Sequence, residues 1–240
     1  MVRLLVSVRD ADEALAAAEA GADFIDLKEP ADGALGALPP DRIAQIVSVL
    51  RLRYPALLIS ATVGDLPVEE QREILRRVVC VASCGVDYVK VGLWPTPAGP
   101  ALAGALLEAL AACTATVVPV LVADGGVDLA LVAQVLDRGG FPALMVDTAE
   151  KRRGSLIDRL PLPVLAGFIA AVHERGVMAG LAGSLRVEDA PALRALAPDF
   201  AGFRGAVTHG ARIAVLDPRR VRQLRRRLAA GSSAPLAAAA

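Results

Sequence analysis

The sequence predicts a single (β/α)8 TIM barrel occupying residues 1–230. Short apolar runs alternate eight times with segments of helical spacing, which is the pattern of βα units joined in series. The length of 240 residues suits this fold, which typically has about 250. An open doubly wound sheet is the alternative, but no Gly-x-Gly-x-x-Gly motif follows an early strand. The small-residue tail at 231–240 is expected to be disordered.

The predicted strands are apolar runs bounded by glycine, proline or charged residues. In chain order they are expected at 4–8, 23–30, 57–62, 87–92, 116–122, 143–147, 177–181 and 199–204. The segments between them carry helix start and stop signals. Asp10 followed by Glu13 resembles a capping box, Pro39-Pro40 opens a helix, and Gly139-Gly140 ends one. The helices are expected at 11–20, 39–53, 67–84, 100–112, 128–138, 163–175, 187–196 and 218–228.

Composition argues against several classes of partner. The 26 acidic residues balance the 26 basic ones, so no global field favours nucleic acid or an acidic membrane. The basic run 219–227 has helical spacing without aromatic residues, and indicates a solvated final helix. The most apolar window, 101–123, divides into a helix and a strand rather than a membrane span. A short apolar N-terminus and three cysteines without disulfide or zinc spacing favour the cytoplasm.

Lysine is rare in this sequence. Of the 26 basic residues, 23 are arginine and only Lys28, Lys90 and Lys151 are lysine. Arginine stays protonated near neutral pH, whereas a desolvated or cation-flanked lysine can lose its proton and attack a carbonyl. All three lysines lie at or just after the C-terminal ends of predicted strands. Three surface lysines near strand ends are the alternative, but we interpret the set as a reactive centre.

Strand alternation places the lysines beside two aspartates. Asp26 and Lys28 share one face of the second strand, Lys90 lies on the fourth, and Asp147 ends the sixth. Alternate strands of this barrel contribute to common interior layers, so these groups are expected in one volume. Buried structural ion pairs are the alternative. One lysine could form an iminium with a carbonyl substrate while a second lysine or Asp147 moves protons.

The loops after the last two strands are the expected place for a substrate phosphate. They contain Gly183-Ser184 and Arg204-Gly205, and glycine lets backbone N–H groups approach an anion. Ordinary barrel turns are the alternative. Asp65 and Asp124 also follow strands, but paired histidines or close carboxylates do not accompany them, so no metal site is expected. Lysine chemistry of this kind needs no cofactor.

Six motifs, in one order along nearly the whole chain, resemble the (5-formylfuran-3-yl)methyl phosphate synthase family. They are Ile25-Asp26-Leu27-Lys28-Glu29-Pro30, Ser60-Ala61-Thr62-Val63-Gly64-Asp65, Tyr88-Val89-Lys90-Val91-Gly92-Leu93, Val146-Asp147-Thr148-Ala149 with Lys151, Leu181-Ala182-Gly183-Ser184-Leu185 and Arg204-Gly205-Ala206. The resemblance implies a barrel enzyme, a carbon–oxygen lyase, that condenses two molecules of glyceraldehyde 3-phosphate. Loss of one phosphate and water would give the furan precursor of methanofuran-type cofactors.

The resemblance also implies roles for individual residues. Lys28 would be the Schiff-base nucleophile and Lys90 the proton-transferring partner, and Asp147 and Lys151 match two further active-site positions. The candidates for substrate binding are Asp26, Gly183, Ser184, Arg204 and Gly205. One departure concerns the loop after the second strand. Relatives often have Gly-Ser-Leu-Gly-Ala there, whereas this chain has alanine at position 34, so the serine hydroxyl is absent.

Two alternative functions use the same residues. A class I (Schiff-base) aldolase acting on triose or other sugar phosphates would need the same lysines but release an acyclic product. Such a product lacks the near-ultraviolet absorbance of a conjugated furan aldehyde. A non-catalytic barrel that binds a phosphorylated metabolite would keep its function with Lys28→Arg. In each case the partner is a small molecule rather than nucleic acid or membrane, and the fold allows a homo-oligomer.

Overall fold

The chain forms a closed barrel of eight parallel strands in sequential order. The computed structural model describes residues 1–95, 100–210 and 212–229, so the tail predicted at 231–240 lies outside the described residues. The strands are β1 (Arg3–Val8), β2 (Phe24–Leu27), β3 (Leu58–Thr62), β4 (Tyr88–Leu93), β5 (Val117–Val122), β6 (Ala143–Asp147), β7 (Met178–Leu181) and β8 (Phe200–Phe203). Pairing of β1 with β8 closes the sheet. The predicted fold class is confirmed.

Helices cover the outside of the barrel and follow the strands in alternation. They are α1 (Ala11–Glu19), α2 (Pro40–Arg53), α3 (Gln71–Ala82), α4 (Pro100–Ala112), α5 (Leu129–Arg138), α6 (Leu156–Arg159), α7 (Leu162–Glu174), α8 (Ala190–Leu196) and α9 (Pro218–Ala229). The sequence predicted each of these except α6, with bounds shifted by a few residues. In α9, Val221, Leu224 and Leu228 are buried while most of the arginines are exposed, which confirms its helical spacing.

Two local predictions need correction. Helix α6 lies in a segment expected to be a loop, because a capping box between Ser155 and Asp158 forms a turn too short to show apolar periodicity. At α1, Asp10 caps the helix as expected and accepts from the Glu13 N–H at 2.9 Å. The Glu13 carboxylate, however, accepts from the Arg9 N–H rather than completing a box with Asp10. This leaves Glu13 available to a buried cation described below.

The barrel has two apolar layers. Outward residues of the strands, such as the fully buried Ile25 and Leu27, pack against the helices in one large cluster. Each such aliphatic side chain contributes about 1.5–3 kcal/mol by burial. A smaller cluster inside the barrel includes Phe24 and Phe200, whose ring centroids are 5.5 Å apart. The inner cluster fills the lower part of the barrel, so the inward polar residues at the C-terminal ends of the strands lie above an apolar floor.

The register of the first three strands sets the position of a central carboxylate. Ser7 of β1 is level with Asp26 of β2, and Asp26 is level with Ser60 of β3. Side chains two residues apart on a strand share a face, so Lys28 lies above Asp26 on the inner face. Within 1–95, 100–210 and 212–229, no helix combines the length and the apolar character needed to cross a membrane.

Candidate active site

A cavity of about 350 Å³ opens at the C-terminal ends of the strands. Its walls come from the inner faces of several strands and from the loops after β6, β7 and β8. The cavity contains every residue that the sequence nominated for the site, namely Asp26, Lys28, Lys90, Asp147, Lys151, Gly183, Ser184, Arg204 and Gly205. Strand alternation and barrel closure therefore bring together residues that are up to 179 positions apart in the chain.

Lys90 and Asp26 form a buried ion pair, with Lys90 Nζ 2.8 Å from Asp26 Oδ1. The hydroxyls of Ser7 and Ser60 also donate to the Asp26 carboxylate, at 3.0 and 2.7 Å. Burial alone would raise the pKa of Asp26, but the charges of Lys90 and Lys28 and these donors outweigh it, so the pKa is lowered. Asp26 is thus a fixed anion near the centre of the site.

Lys151 and Asp147 form a second pair, with Lys151 Nζ 2.5 Å from Asp147 Oδ1. The Thr148 N–H donates to the same carboxylate at 2.7 Å. Burial opposes ionisation here too, but the charges of Lys151 and Lys28 prevail and the pKa of Asp147 is lowered. The Ser184 hydroxyl donates to the carbonyl of Lys151 at 3.0 Å, which ties the loop after β7 to the lysine.

Asp124, which follows β5, holds the loop that carries Lys151. Its carboxylate accepts from the backbone N–H groups of Ala149 and Glu150 at 2.6 and 2.9 Å, and it pairs with Arg159 at 2.7 Å. Through these contacts Asp124 anchors the loop that carries Lys151. Within the described ranges, no three His, Cys, Asp or Glu side chains are grouped in a way that could hold a metal ion.

Lys28 differs from the other two lysines. Its side chain is buried, its Nζ donates to the Ala34 carbonyl at 3.3 Å, and it forms no ion pair with a carboxylate of the described residues. Burial lowers the pKa of Lys28 from its ordinary value of 10.5 to about 8; Asp147 and Asp26 oppose this shift, while the Lys151 and Lys90 charges add to it. The lowered pKa means that a usable fraction of the Lys28 amine is unprotonated near neutral pH and able to attack a carbonyl.

The acceptor of Lys28 lies on a loop held by Asp65. The Asp65 carboxylate, which follows β3, accepts from the N–H groups of Ala34 and Leu35 at 2.8 and 2.7 Å. Gly33 has φ +110°, and a Cβ there would lie 2.0 Å from Asp65 Oδ2, so this clamp requires glycine. Because the loop contacts Lys28 through a backbone carbonyl, alanine at position 34 preserves that contact.

Arg204 is occupied by the protein itself. Its guanidinium forms a buried pair with Glu13, at 2.5 and 3.0 Å, and donates to the carbonyls of Ser7, Arg212 and Ala214. An arginine has five N–H donors, and all five have acceptors here. A direct contact with a substrate phosphate would require Arg204 to give up one of them. The sequence showed that Arg204 faces inward but not that Glu13 of α1 reaches it.

We expect Arg204→Met to lower the free energy of unfolding by about 3–5 kcal/mol, because it leaves the Glu13 carboxylate buried without its partner. Urea unfolding followed by circular dichroism measures the change. The double variant Glu13→Leu/Arg204→Met should recover much of the loss. A single variant of unchanged stability whose only defect is weak substrate binding would contradict this structural role.

The sequence indicates only some of the other residues that contribute to the site. Ser7 and Ser60 interrupt apolar strands at inward positions, which is a readable signal for a polar partner. The roles of Ala34, Asp65 and Arg212 depend on loop contacts and leave no such pattern. Gly183 and Gly205 line the cavity, and their N–H groups have no acceptor among the described residues. Backbone N–H groups of this kind can donate to a bound anion.

Comparison with known proteins identifies a family model and relatives that match most of the chain. The family model described as 4-HFC-P synthase matches residues 4–225. A protein of Methylorubrum extorquens, provisionally named a (5-formylfuran-3-yl)methyl phosphate synthase, is 41% identical over 236 residues, which cover 98% of this chain and 95% of that protein. The (5-formylfuran-3-yl)methyl phosphate synthase of Methanopyrus kandleri is 39% identical over 217 residues, covering 85% of this chain and 88% of that protein.

Among solved structures, phosphoribosyl anthranilate isomerase from Thermus thermophilus matches with a TM-score of 0.66. The match covers 95% of this chain and 98% of that chain at 18% sequence identity. At this identity the likeness concerns the barrel fold alone.

Proposed function

Because the chain belongs to the (5-formylfuran-3-yl)methyl phosphate synthase family, we propose that it condenses two molecules of glyceraldehyde 3-phosphate into that furan through a Schiff base at Lys28. The named relatives are synthases, and this chain is an enzyme of the same kind. The observation that carries the mechanism is the difference among the lysines. Lys90 and Lys151 are each paired with a buried aspartate, whereas among the described residues Lys28 has only the Ala34 carbonyl as an acceptor.

The atoms of the proposed reaction balance without an oxidant or reductant. Two triose phosphates supply the six carbons of a furan ring, an aldehyde and a phosphorylated hydroxymethyl group. One phosphate and two water molecules leave, so the carbon–carbon condensation is coupled to eliminations that break carbon–oxygen bonds, which supports the class of carbon–oxygen lyases. Every step therefore needs only carbonyl activation and proton transfer.

The geometry supports a division of labour. The Lys28 amine attacks the aldehyde of one triose, and the resulting iminium draws electrons from the adjacent carbon, whose proton becomes acidic. Removal of that proton gives an enamine that forms the carbon–carbon bond with the second aldehyde. Lys28 senses the charges of both Asp26 and Asp147, so each lysine–aspartate pair lies within electrostatic reach of the iminium. Lys90 and Lys151 are the proposed proton carriers for elimination and ring closure.

The reducing cytoplasm is the proposed compartment. Its basis is that Cys80, Cys84 and Cys113 are all free thiols.

We expect the rate of reductive trapping by subsaturating aldehyde to rise with pH and level off above about 8, the pKa of Lys28. Below that value the free-amine fraction falls about tenfold per pH unit. Cyanoborohydride trapping followed by intact-protein mass spectrometry measures the rate. A rate unchanged between about pH 6 and 8 would contradict an amine of lowered pKa.

The lowered pKa of Lys28 also makes the free energy of unfolding depend on pH. Since the folded-state pKa of Lys28, about 8, lies below the ordinary value of 10.5, the unfolded chain binds more protons between these values. Stability from this group is therefore expected to rise with pH through that window and to be lowest below it. Comparing urea unfolding of the wild-type protein and Lys28→Met across this range isolates the effect.

Product identity tests the proposal as a whole. Incubation with glyceraldehyde 3-phosphate should release inorganic phosphate and give a product that absorbs in the near ultraviolet, with the mass of the furan aldehyde phosphate. An acyclic sugar phosphate that retains both phosphates would instead identify a Schiff-base aldolase. Substrate binding without any product would identify a non-catalytic barrel.

A further inference from the structure

Among the described arginines that line the cavity, Arg212 is the one without an ion-pair partner. Its half-buried guanidinium donates to the Gly33 carbonyl at 3.2 Å and forms no ion pair with any described residue. The other arginines that line the cavity are paired, Arg204 with Glu13, Arg186 with Asp158, and Arg220 with Asp217. Within the described part of the chain, Arg212 therefore lines the cavity with the Gly33 carbonyl as the acceptor of its guanidinium.

A cation withdrawn from water without a partner is costly, so such a position points to an anionic ligand. Burial lowers the pKa of Arg212, Asp147 and Asp65 act in the opposite direction, and Arg204 adds to the lowering. The planar guanidinium offers parallel donors that match two oxygens of a phosphate. Carboxylates would fit the same donors, but the neighbouring backbone favours a group with more oxygens.

That backbone is the loop region after β7 and β8. Gly183 and Gly205, whose N–H groups have no acceptor among the described residues, line the same cavity as Arg212. Arg204 Nε donates to the Arg212 carbonyl at 2.7 Å, so the buried Arg204–Glu13 pair holds the main chain of Arg212 in place. Arg204 is therefore a positioning residue, and Arg212 is the side chain that faces the ligand.

The loop at 33–36 connects Arg212 with the proposed nucleophile. Arg212 donates to the carbonyl of Gly33, and Lys28 donates to the carbonyl of Ala34, which is the next residue. A small molecule held at one end by Arg212 would present its other end near Lys28. We propose that Arg212, together with the N–H groups of Gly183 and Gly205, binds the phosphate of the triose whose aldehyde carbon is attached to Lys28. This assignment rests on the proposed function.

The test compares Arg212→Gln with Arg220→Gln, a matched control on the same wall that exchanges an exposed, paired arginine. Reductive trapping at Lys28 is measured with glyceraldehyde 3-phosphate and with unphosphorylated glyceraldehyde. For Arg212→Gln we expect half-maximal trapping by the phosphorylated aldehyde to require on the order of 10- to 100-fold more substrate. Trapping by glyceraldehyde should change less than about twofold, since it lacks the group that Arg212 would hold.

Equal losses with both aldehydes, or equal losses in both variants, would overturn the assignment, because they would indicate a general effect on Lys28 or on the local field. Titration with inorganic phosphate provides a readout that does not depend on Lys28 chemistry. Weaker phosphate binding in Arg212→Gln than in the wild-type protein supports the site even if no aldehyde is trapped. In that case the proposed function fails while the phosphate site stands.

Discussion

Lys28→Arg should reduce furan formation by on the order of 10³-fold or more and leave the protein folded. Arginine keeps the positive charge on a slightly larger side chain, but it remains protonated and forms no Schiff base. Lys28 forms no ion pair among the described residues, so the exchange strands no buried carboxylate. A large loss of turnover with little loss of stability is the combination expected of a covalent nucleophile.

Intact-protein mass spectrometry after incubation with glyceraldehyde 3-phosphate and borohydride gives the direct measurement. The wild-type protein should gain one triose adduct, mapped to the peptide that contains Lys28, and Lys28→Arg should gain none. Lys151→Arg is the matched control, because it retains a cation beside Asp147 and leaves Lys28 free to react. Full turnover by Lys28→Arg, or an adduct on Lys90 or Lys151 in the wild-type protein, would move the nucleophile elsewhere.

Lys90→Met should lower both activity and stability. The substitution removes the countercharge of Asp26, which is fully buried, and breaking such a pair from one side typically costs about 3–5 kcal/mol. It also removes a proposed proton carrier, for which a loss of about 10²- to 10⁴-fold in kcat is expected. Urea unfolding and steady-state furan formation measure the two effects separately.

The double variant Asp26→Asn/Lys90→Met separates the two roles. Asparagine can accept hydrogen bonds from Ser7 and Ser60 but carries no charge, so most of the lost stability should return. Activity should stay low, because neither the amine nor the fixed anion is restored. Recovery of turnover together with stability would mean that the pair serves the fold alone.

The alternation of inward and outward residues along each strand was enough to predict the centre of the site. Alternation of Asp26 and Lys28 with Ile25 and Leu27 identifies an inward face, and the even-numbered strands bring Lys90 and Asp147 to the same cavity. The scarcity of lysine singled out the three amines. Their pairing depends on separations of a few ångströms between side chains, so strand patterns could not show that Lys28 is the unpaired lysine, and only the family resemblance singled it out.

The contacts made by the loops could not be predicted from the sequence, for a different reason. Arg204 has the inward parity expected of a phosphate ligand, yet its donors are taken by Glu13 and by backbone carbonyls. Arg212 lies in an irregular segment after β8, where no period predicts the direction of a side chain. Propensity and periodicity describe regular elements, whereas these assignments depend on how three separate loops meet.

The carboxylates of Asp65 and Asp124 have a consequence for how far the loops can vary. Each accepts two consecutive main-chain N–H groups from the loop of a neighbouring βα unit, at Ala34 and Leu35 or at Ala149 and Glu150. Any residue except proline supplies those N–H groups. Gly33 must remain glycine and Ala34 and Leu35 are buried, so the freedom lies in the second loop. An engineer could diversify Ala149 and Glu150 to admit bulkier aldehydes while the backbone around Lys151 stays fixed.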